Sequence, residues 1–200
     1  MAGKEQVQNR NKGHLFVVSG PSGVGKTTLI ERFLIEDRKS RFSISYTTRQ
    51  KRKNEEDGKD YYFVDTETFN CMIADGHFLE WEKVHDNLYG TPQKEVMIAL
   101  TDGTDLFLDI DVNGALNVKD RFADACLIFV EPPDQASLMK RLSLRGEKEI
   151  ALRMKRVQKE MEKKYLFQYS VINDKLDKAY REFKEIIEAV RRKRYGEDHR

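Results

Sequence analysis

One nine-residue stretch narrows the folds open to this chain more than any other: Gly20, Pro21, Ser22, Gly23, Val24, Gly25, Lys26, Thr27 and Thr28. It has the spacing glycine, four residues, Gly-Lys-Thr. Its glycines let the backbone curl so that successive N–H groups point inward at anionic oxygens, and Lys26 adds a positive charge near the β- and γ-phosphates of a nucleotide. Thr27 offers a hydroxyl ligand to Mg²⁺. The flanks match what such a loop requires. Residues 14–19 before it read as a buried strand, and Leu29, Ile30, Phe33 and Leu34 after it recur at helical spacing, so a bound phosphate would sit on a helix N-terminus.

The rest of the chain alternates strands with helices. Residues 41–46 read as a strand that runs into the basic cluster of Arg49, Lys51, Arg52 and Lys53, and an acidic turn over 54–58 follows at once. Short strands over 61–64, 78–84 and 88–91, with a helix over 66–74 stopped by Gly76, suggest a small, mainly β lobe between about 42 and 91. The frame resumes with a helix from Pro92 to about Leu100, an apolar strand over 106–111 ending in two acids, and a short helix over 112–118. A buried strand over 126–130 comes next, then a helix capped by Asp134. Residues 143–148 break that helix, and the stripe Ile150, Met154, Val157, Met161, Tyr165 predicts a long one beyond the break. A last strand over 168–172 leads to a closing amphipathic helix over 176–190, whose last turn carries the basic run 191–194. This order predicts a three-layer α/β/α fold with a parallel core sheet, and the glycine loop lies at the carboxyl end of the first strand, where such sheets bind ligands. The expected division is a core of 13–41, 92–140 and 166–195, the lobe at 42–91, and a short helical lid at about 141–165.

Charge and composition exclude several classes. Thirty-six basic against thirty-four acidic residues leave a net charge of +2, too small an excess for a general nucleic-acid binder. No apolar run approaches the ~20 residues that span a bilayer. The first twelve residues lack the apolar stretch of a secretory signal and read as a lead-in. Cys71 and Cys126 make no metal spacing and are expected to be free, partly buried thiols in a reducing compartment.

Residues 106–111 have the form of a strand that delivers a carboxylate to a metal. Asp109 is placed to hold water ligands of Mg²⁺, and Asp111, two residues on, leaves on the same side. Capping of the next helix is the competing explanation for one of these acids.

At this point the motifs together resemble guanylate kinase, an enzyme that moves the γ-phosphoryl group of ATP to GMP. The residues that carry the resemblance are the glycine loop, 45–49 with Arg52, 58–61, 78–81, 89–91 and 108–111, spread in the family's order over 14 to about 180. The resemblance implies that Arg49, Arg52, Tyr61 and Tyr89 bind the GMP phosphate, and that Ser45, Glu80, Thr91 and Asp111 surround the guanine. Paired guanidinium donors suit a phosphate. An ionised Glu80 would accept from both guanine N1–H and N2–H₂, whereas adenine presents an acceptor at N1. The loop before the last helix, with Asn173, would border the adenine of ATP; Asn173 is equally explained as a helix cap. Lys26 and two lid arginines, Arg145 and Arg153, would stabilise the transferring group, with Arg141 and Arg156 as competitors for the second place. The lid departs from the family's pattern, since its middle is contracted by about three residues. Tyr46 stands where the family more often has a small residue and is expected to narrow the base pocket. The implied partners are GMP, its deoxy form dGMP and ATP with Mg²⁺, without nucleic acid or membrane, for a cytoplasmic monomer or homodimer. Two other functions compete: another small-molecule kinase on the same frame, and a non-catalytic binding module, which typically has lost the phosphate loop that Gly25, Lys26 and Thr27 keep here.

Overall fold

The computed structural model describes residues 12–84, 86–144 and 150–196, with only the backbone for 150–153 and 194–196. In chain order its elements are β1 (Leu15–Ser19), α1 (Lys26–Glu36), β2 (Ser40–Phe42), β3 (Tyr46–Thr47), β4 (Tyr62–Phe63), α2 (Thr66–Ala74), β5 (Phe78–Val84), β6 (Asn87–Pro92), α3 (Gln93–Thr101), β7 (Asp105–Asp109), α4 (Val112–Arg121), β8 (Cys126–Glu131), α5 (Gln135–Leu144), α6 (Ile150–Glu162), a 3₁₀ turn (Lys164–Leu166), β9 (Tyr169–Ile172) and α7 (Leu176–Gly196).

All five residues of β1 are buried, as a strand covered on both faces requires. It lies at the centre of a parallel five-stranded sheet in the order β2-β7-β1-β8-β9. Alternation sorts its side chains onto two faces. Leu15, Val17, Leu106, Leu108, Leu127 and Phe129 pack on one face with residues of α3 and α4. Phe16, Val18, Phe107, Ile128 and Val130 pack on the other against α1 and α7, where Phe16 and Phe107 stack with ring centroids 4.9 Å apart. The run of apolar residues in each strand thus divides between two cores.

The far end of this sheet is tied by a charged network. Asp105 accepts from His14 through both the backbone N–H (2.6 Å) and the ring, and from Arg191 Nε at 2.7 Å. Arg191 also pairs with Asp37, which joins α7 to the turn before β2. Burial raises the Asp105 pKa, but its bonds to His14 and Arg191 outweigh burial and leave it below the usual carboxylate range.

A second sheet has the order β4-β3-β6-β5. β3 is parallel to β4 and antiparallel to β6, and β6 is antiparallel to β5. The register sets Thr47 against Tyr89, Glu82 against Tyr89 and Glu80 against Thr91, so these side chains share one face. Tyr46 is opposite Gly90 and belongs to the other face, where its ring meets Tyr62, His77 and Phe78. A methyl group on Gly90 would come within 2.7 Å of the Phe78 ring.

Several expectations change. The run 41–46 is not one strand: β2 ends at Phe42 in the core sheet and β3 begins at Tyr46 in the second sheet, because residues 43–45 carry the chain between the two. Tyr46 does not narrow a pocket beside Glu80, since it points to the opposite face. The stripe ending at Tyr165 overshoots: α6 stops at Glu162, and Tyr165 lies 79% exposed in the 3₁₀ turn. The short helix after Asp111 extends to Arg121, whose guanidinium bonds the Leu79 carbonyl. Cys71 is exposed rather than partly buried, while Cys126 is buried and its thiol pushed up to about 12 by burial. Gly76 does end α2, with φ of +65°. Among the described residues no helix is long and apolar enough to cross a membrane.

Candidate active site

The glycine loop joins the buried end of β1 to α1. Gly20 has φ of +134°, and a Cβ there would fall 2.2 Å from the Val130 carbonyl oxygen, so the loop can leave the sheet this closely only with glycine. Gly25 has φ of +97° and stands as the N-cap of α1 without any side-chain cap. The first N–H groups of α1 thus lack a side-chain cap and are available to an anion. The outer side of the loop is held by the core. Asn173 donates from Nδ2 to the Val24 carbonyl at 2.8 Å, and Arg141 donates to the Asn173 carbonyl at 2.8 Å and to that of Val24 at 3.3 Å. Asn173 is therefore not a helix cap; it is buried and braces the loop. Ser22, Thr27 and Thr28 are exposed, Pro21 and Val24 buried, and Gly23 lies between.

Lys26 lies across the loop, with Nζ 2.9 Å from the Gly20 carbonyl and 3.6 Å from Asp109 Oδ1. Thr27 Oγ1 donates to Asp109 Oδ2 at 2.7 Å. β7 ends at Asp109, so this carboxylate meets the start of α1 because β1 and β7 are adjacent in register, with Val18 beside Asp109. A hydroxyl and a carboxylate oxygen in contact form a hard donor pair that suits Mg²⁺, which takes few protein ligands and keeps water or phosphate oxygens for the rest. Among the described residues no group of three or more His, Cys, Asp or Glu could hold a metal by itself.

Asp111 leaves the strand and becomes the N-cap of α4, with Oδ1 accepting from Gly114 N–H at 2.8 Å. Capping, the competing explanation, thus applies to Asp111. β5 packs on this helix start. A Cβ on Gly114 would lie 2.7 Å from Glu80 Oε2, so glycine makes room for the carboxylate. Glu80 is buried and accepts from Thr91 Oγ1 at 2.6 Å. Burial pushes its pKa up to about 7; the Thr91 hydrogen bond opposes the shift, and the charges of Asp111 and Glu82 add to it.

Farther along the same face, Tyr61 and Tyr89 stand with ring centroids 5.9 Å apart. Burial pushes the Tyr61 hydroxyl up to about 12, and the charge of Asp109 adds to this, which relates the second sheet to the end of β7. Ser45 is half-buried on the link between the two sheets, where its carbonyl accepts from Tyr62 N–H at 3.0 Å. The Arg49 guanidinium lies 5.4 Å above the Tyr61 ring and is engaged by Glu55 through two bonds of 2.9 and 2.8 Å. Glu55 also accepts from Arg52 N–H at 2.8 Å, while Arg52 itself is exposed. Burial raises the Glu55 pKa, yet Arg49 and the Arg52 amide outweigh it and hold the carboxyl low.

Glu55, bonded to Arg49, and Gly114, beside Glu80, are candidate site residues that motif reading missed. The signal for Glu55 was an acid three residues after Arg52 in a turn closed by Glu55 N–H to the Arg52 carbonyl. Arg145 lies outside the described residues, as does the contracted middle of the lid, and the side chain of Arg153 is likewise outside them. Among the described side chains of α6, Arg156 reaches the site, with Nη2 3.0 Å from Asp111 Oδ2.

Comparisons with known proteins point to one family. A family model described as guanylate kinase matches residues 12–190. The guanylate kinase of Caldanaerobacter subterraneus subsp. tengcongensis is 42% identical over 181 residues, covering 89% of this chain and 88% of that protein. The guanylate kinase of Desulfotalea psychrophila is 45% identical over 187 residues, 92% of each. The crystal structure of guanylate kinase from Anaplasma phagocytophilum superposes with a TM-score of 0.74 at 30% identity, over 90% of this chain and 87% of that one. A braced glycine loop, a carboxylate at the end of β7 and a buried acid facing α4 thus occur in a chain that matches this family along nearly its whole length: the chain belongs to the guanylate kinase family.

Proposed function

We propose that the protein transfers the γ-phosphoryl group of ATP to GMP, giving ADP and GDP, with Mg²⁺. The observation that carries the acceptor is Glu80: a buried carboxylate set against the N-terminus of α4 and hydrogen-bonded to Thr91, on the same face as Tyr89. A buried acceptor pair of this kind selects a base with two adjacent donors, and it penalises one that presents an acceptor.

In this reading the loop from Gly20 to Thr28 and Lys26 hold the ATP phosphates, and Asn173, with Arg141, keeps the loop's Val24 carbonyl turned outward so that N–H groups face the nucleotide. Thr27 and Asp109, the latter through water, would hold Mg²⁺, which neutralises charge on the phosphate oxygens when bound. Arg49, Arg52, Tyr61 and Tyr89 take the GMP phosphate, and Ser45, Glu80, Thr91 and Asp111 the base. On binding, the Arg49 fork exchanges the Glu55 carboxylate for phosphate oxygens or shares itself between them. Phosphoryl transfer asks mainly for in-line positioning and for cations about the three equatorial oxygens. Lys26 supplies one, and the lid arginines Arg145 and Arg153 supply others when residues 141–165 close and expel water. The four-stranded sheet acts as the acceptor lobe of this arrangement. dGMP presents the same base and phosphate groups and is an acceptor too. Nothing in the site asks for a membrane or a nucleic acid, and a cytoplasmic enzyme acting as a monomer or homodimer suits these substrates.

The test is product analysis. Protein mixed with ATP, GMP and Mg²⁺ should yield ADP and GDP in equal amounts, and chelation of Mg²⁺ should stop both. ADP formed without GDP would assign the acceptor to water and overturn the reading.

A further inference from the structure

Arg156 lies on α6, outside the glycine loop and the second sheet, yet it reaches the residue that caps α4. Its Nη2 stands 3.0 Å from Asp111 Oδ2 and its Nε 2.8 Å from Glu160 Oε1. Both acids are largely shielded, with side chains 15% and 14% exposed, while Arg156 is 32% exposed. The carboxylate of Asp111 is thus used at both oxygens, Oδ1 by the Gly114 N–H of the core and Oδ2 by an arginine of the helix pair after β8. A second contact parallels it: Lys163 donates to Asn113 Oδ1 at 2.7 Å, again from the end of α6 to the start of α4.

The surroundings say what this arginine does. Glu80, Glu82, Asp111 and Glu160 converge where β5, α4 and α6 meet. The charge of Asp111 acts on Glu80, on Glu82 and on Glu160. Arg156 is the guanidinium bonded to Asp111 and Glu160, and its charge also acts on Glu82. Lys163 and Lys26 act at longer range, on Glu82 and Glu160 respectively. A base with two adjacent donors needs acceptors in fixed positions. A guanidinium that holds the Asp111 carboxylate aimed serves that need, and it is present only while α6 lies against α4.

We propose that Arg156 is a positioning residue for the acceptor base: through Asp111 it couples seating of guanine to the docked position of α6 on α4. This rests on the reading of Asp111 as part of the base pocket.

The experiment is steady-state kinetics on the full chain with Arg156→Met and Arg156→Lys. Arg156→Met should raise the KM for GMP roughly tenfold, the scale of a charge-assisted hydrogen bond at a partly exposed site, and leave the KM for ATP within about twofold. Arg156→Lys keeps the charge and should recover much of the loss. In an Asp111→Asn background the Arg156→Met change should have little further effect on the KM for GMP, because the two act as a pair. An Arg156→Met enzyme with normal KM for GMP, or one whose loss falls on kcat or the KM for ATP instead, would overturn the proposal and make Arg156 a phosphate or surface residue. So would an undiminished Arg156→Met effect in the Asp111→Asn background. Wild-type turnover of GMP, measured in the same series, separates failure of this inference from failure of the proposed function: an active wild type with an indifferent Arg156 sinks only the former.

Discussion

Lys26→Ala should lower kcat for phosphoryl transfer at least 100-fold, with the protein still folded. The ammonium lies across the glycine loop, 2.9 Å from the Gly20 carbonyl and 3.6 Å from Asp109, and it is only 13% exposed. It is therefore fixed before substrate arrives. A cation already in place costs no reorganisation when charge shifts onto the transferring oxygens, and removing one such donor typically costs 10²–10³ in rate. The fold loses little, because Lys26 is at the first turn of α1 and the loop is braced from outside by Asn173 and Arg141. Rate measurements at saturating ATP and GMP, paired with a thermal melt, check both halves. A mutant with near-normal kcat would refute the assigned role, and a large drop in melting temperature would mean that the effect is structural.

Glu80→Gln should lower kcat/KM for GMP roughly 100-fold or more and weaken the preference for guanine. The amide keeps the size of the side chain but turns one acceptor into a donor facing a donor, within a buried site. The same substitution should stabilise the empty protein at pH 8. Glu80 has an ordinary value of 4.5 and is pushed up to about 7, chiefly by burial. The folded chain therefore holds a proton that the unfolded chain releases, and stability falls as pH rises from about 4.5 to 7; above 7 the cost is constant, on the order of a few kcal/mol at most. Glu80→Gln removes that cost, so its melting temperature should exceed that of the wild type at pH 8 and match it at pH 4.5. In the wild type, kcat/KM for GMP should fall as pH drops below 7, since the protonated acid no longer accepts twice. Unchanged guanine preference would move base reading elsewhere, and a lower melting temperature at pH 8 would contradict the buried-charge argument.

What could be read from the sequence was local. The glycine loop, the buried strands on either side of it and the closing helix are set by spacing within a few residues, and the periodicities survive in β1, β7, β8 and α7. The carboxylate at Asp109 followed from an apolar strand with an acid at its end. What could not be read depends on pairings across the chain. Asn173 braces Val24 over a separation of 149 residues, which no local pattern encodes. Tyr46 was assigned to the wrong face because facing follows from the register with Gly90, and that register is set by a strand more than forty residues away. Arg156 meets Asp111 across 45 residues, a contact set by how α6 docks and not by spacing within the helix. Glu55 lies in an acidic turn whose sequence does not show its partners: it bonds Arg49 twice and the Arg52 amide once, because the turn folds back on the basic cluster. In the basic run of α7, Arg191 ties Asp105 and Asp37 at the base of the core sheet, pairings that a helix-local pattern does not show.

Glu80, Thr91 and Asp111 are expected to make the acceptor site specific for guanine. The most direct measurement is a coupled ADP-release assay with ATP and Mg²⁺ over GMP, AMP, CMP and UMP at equal concentrations. GMP should be phosphorylated far faster than the other three, with AMP a poor acceptor. No turnover with GMP, or equal turnover with AMP, would contradict the account.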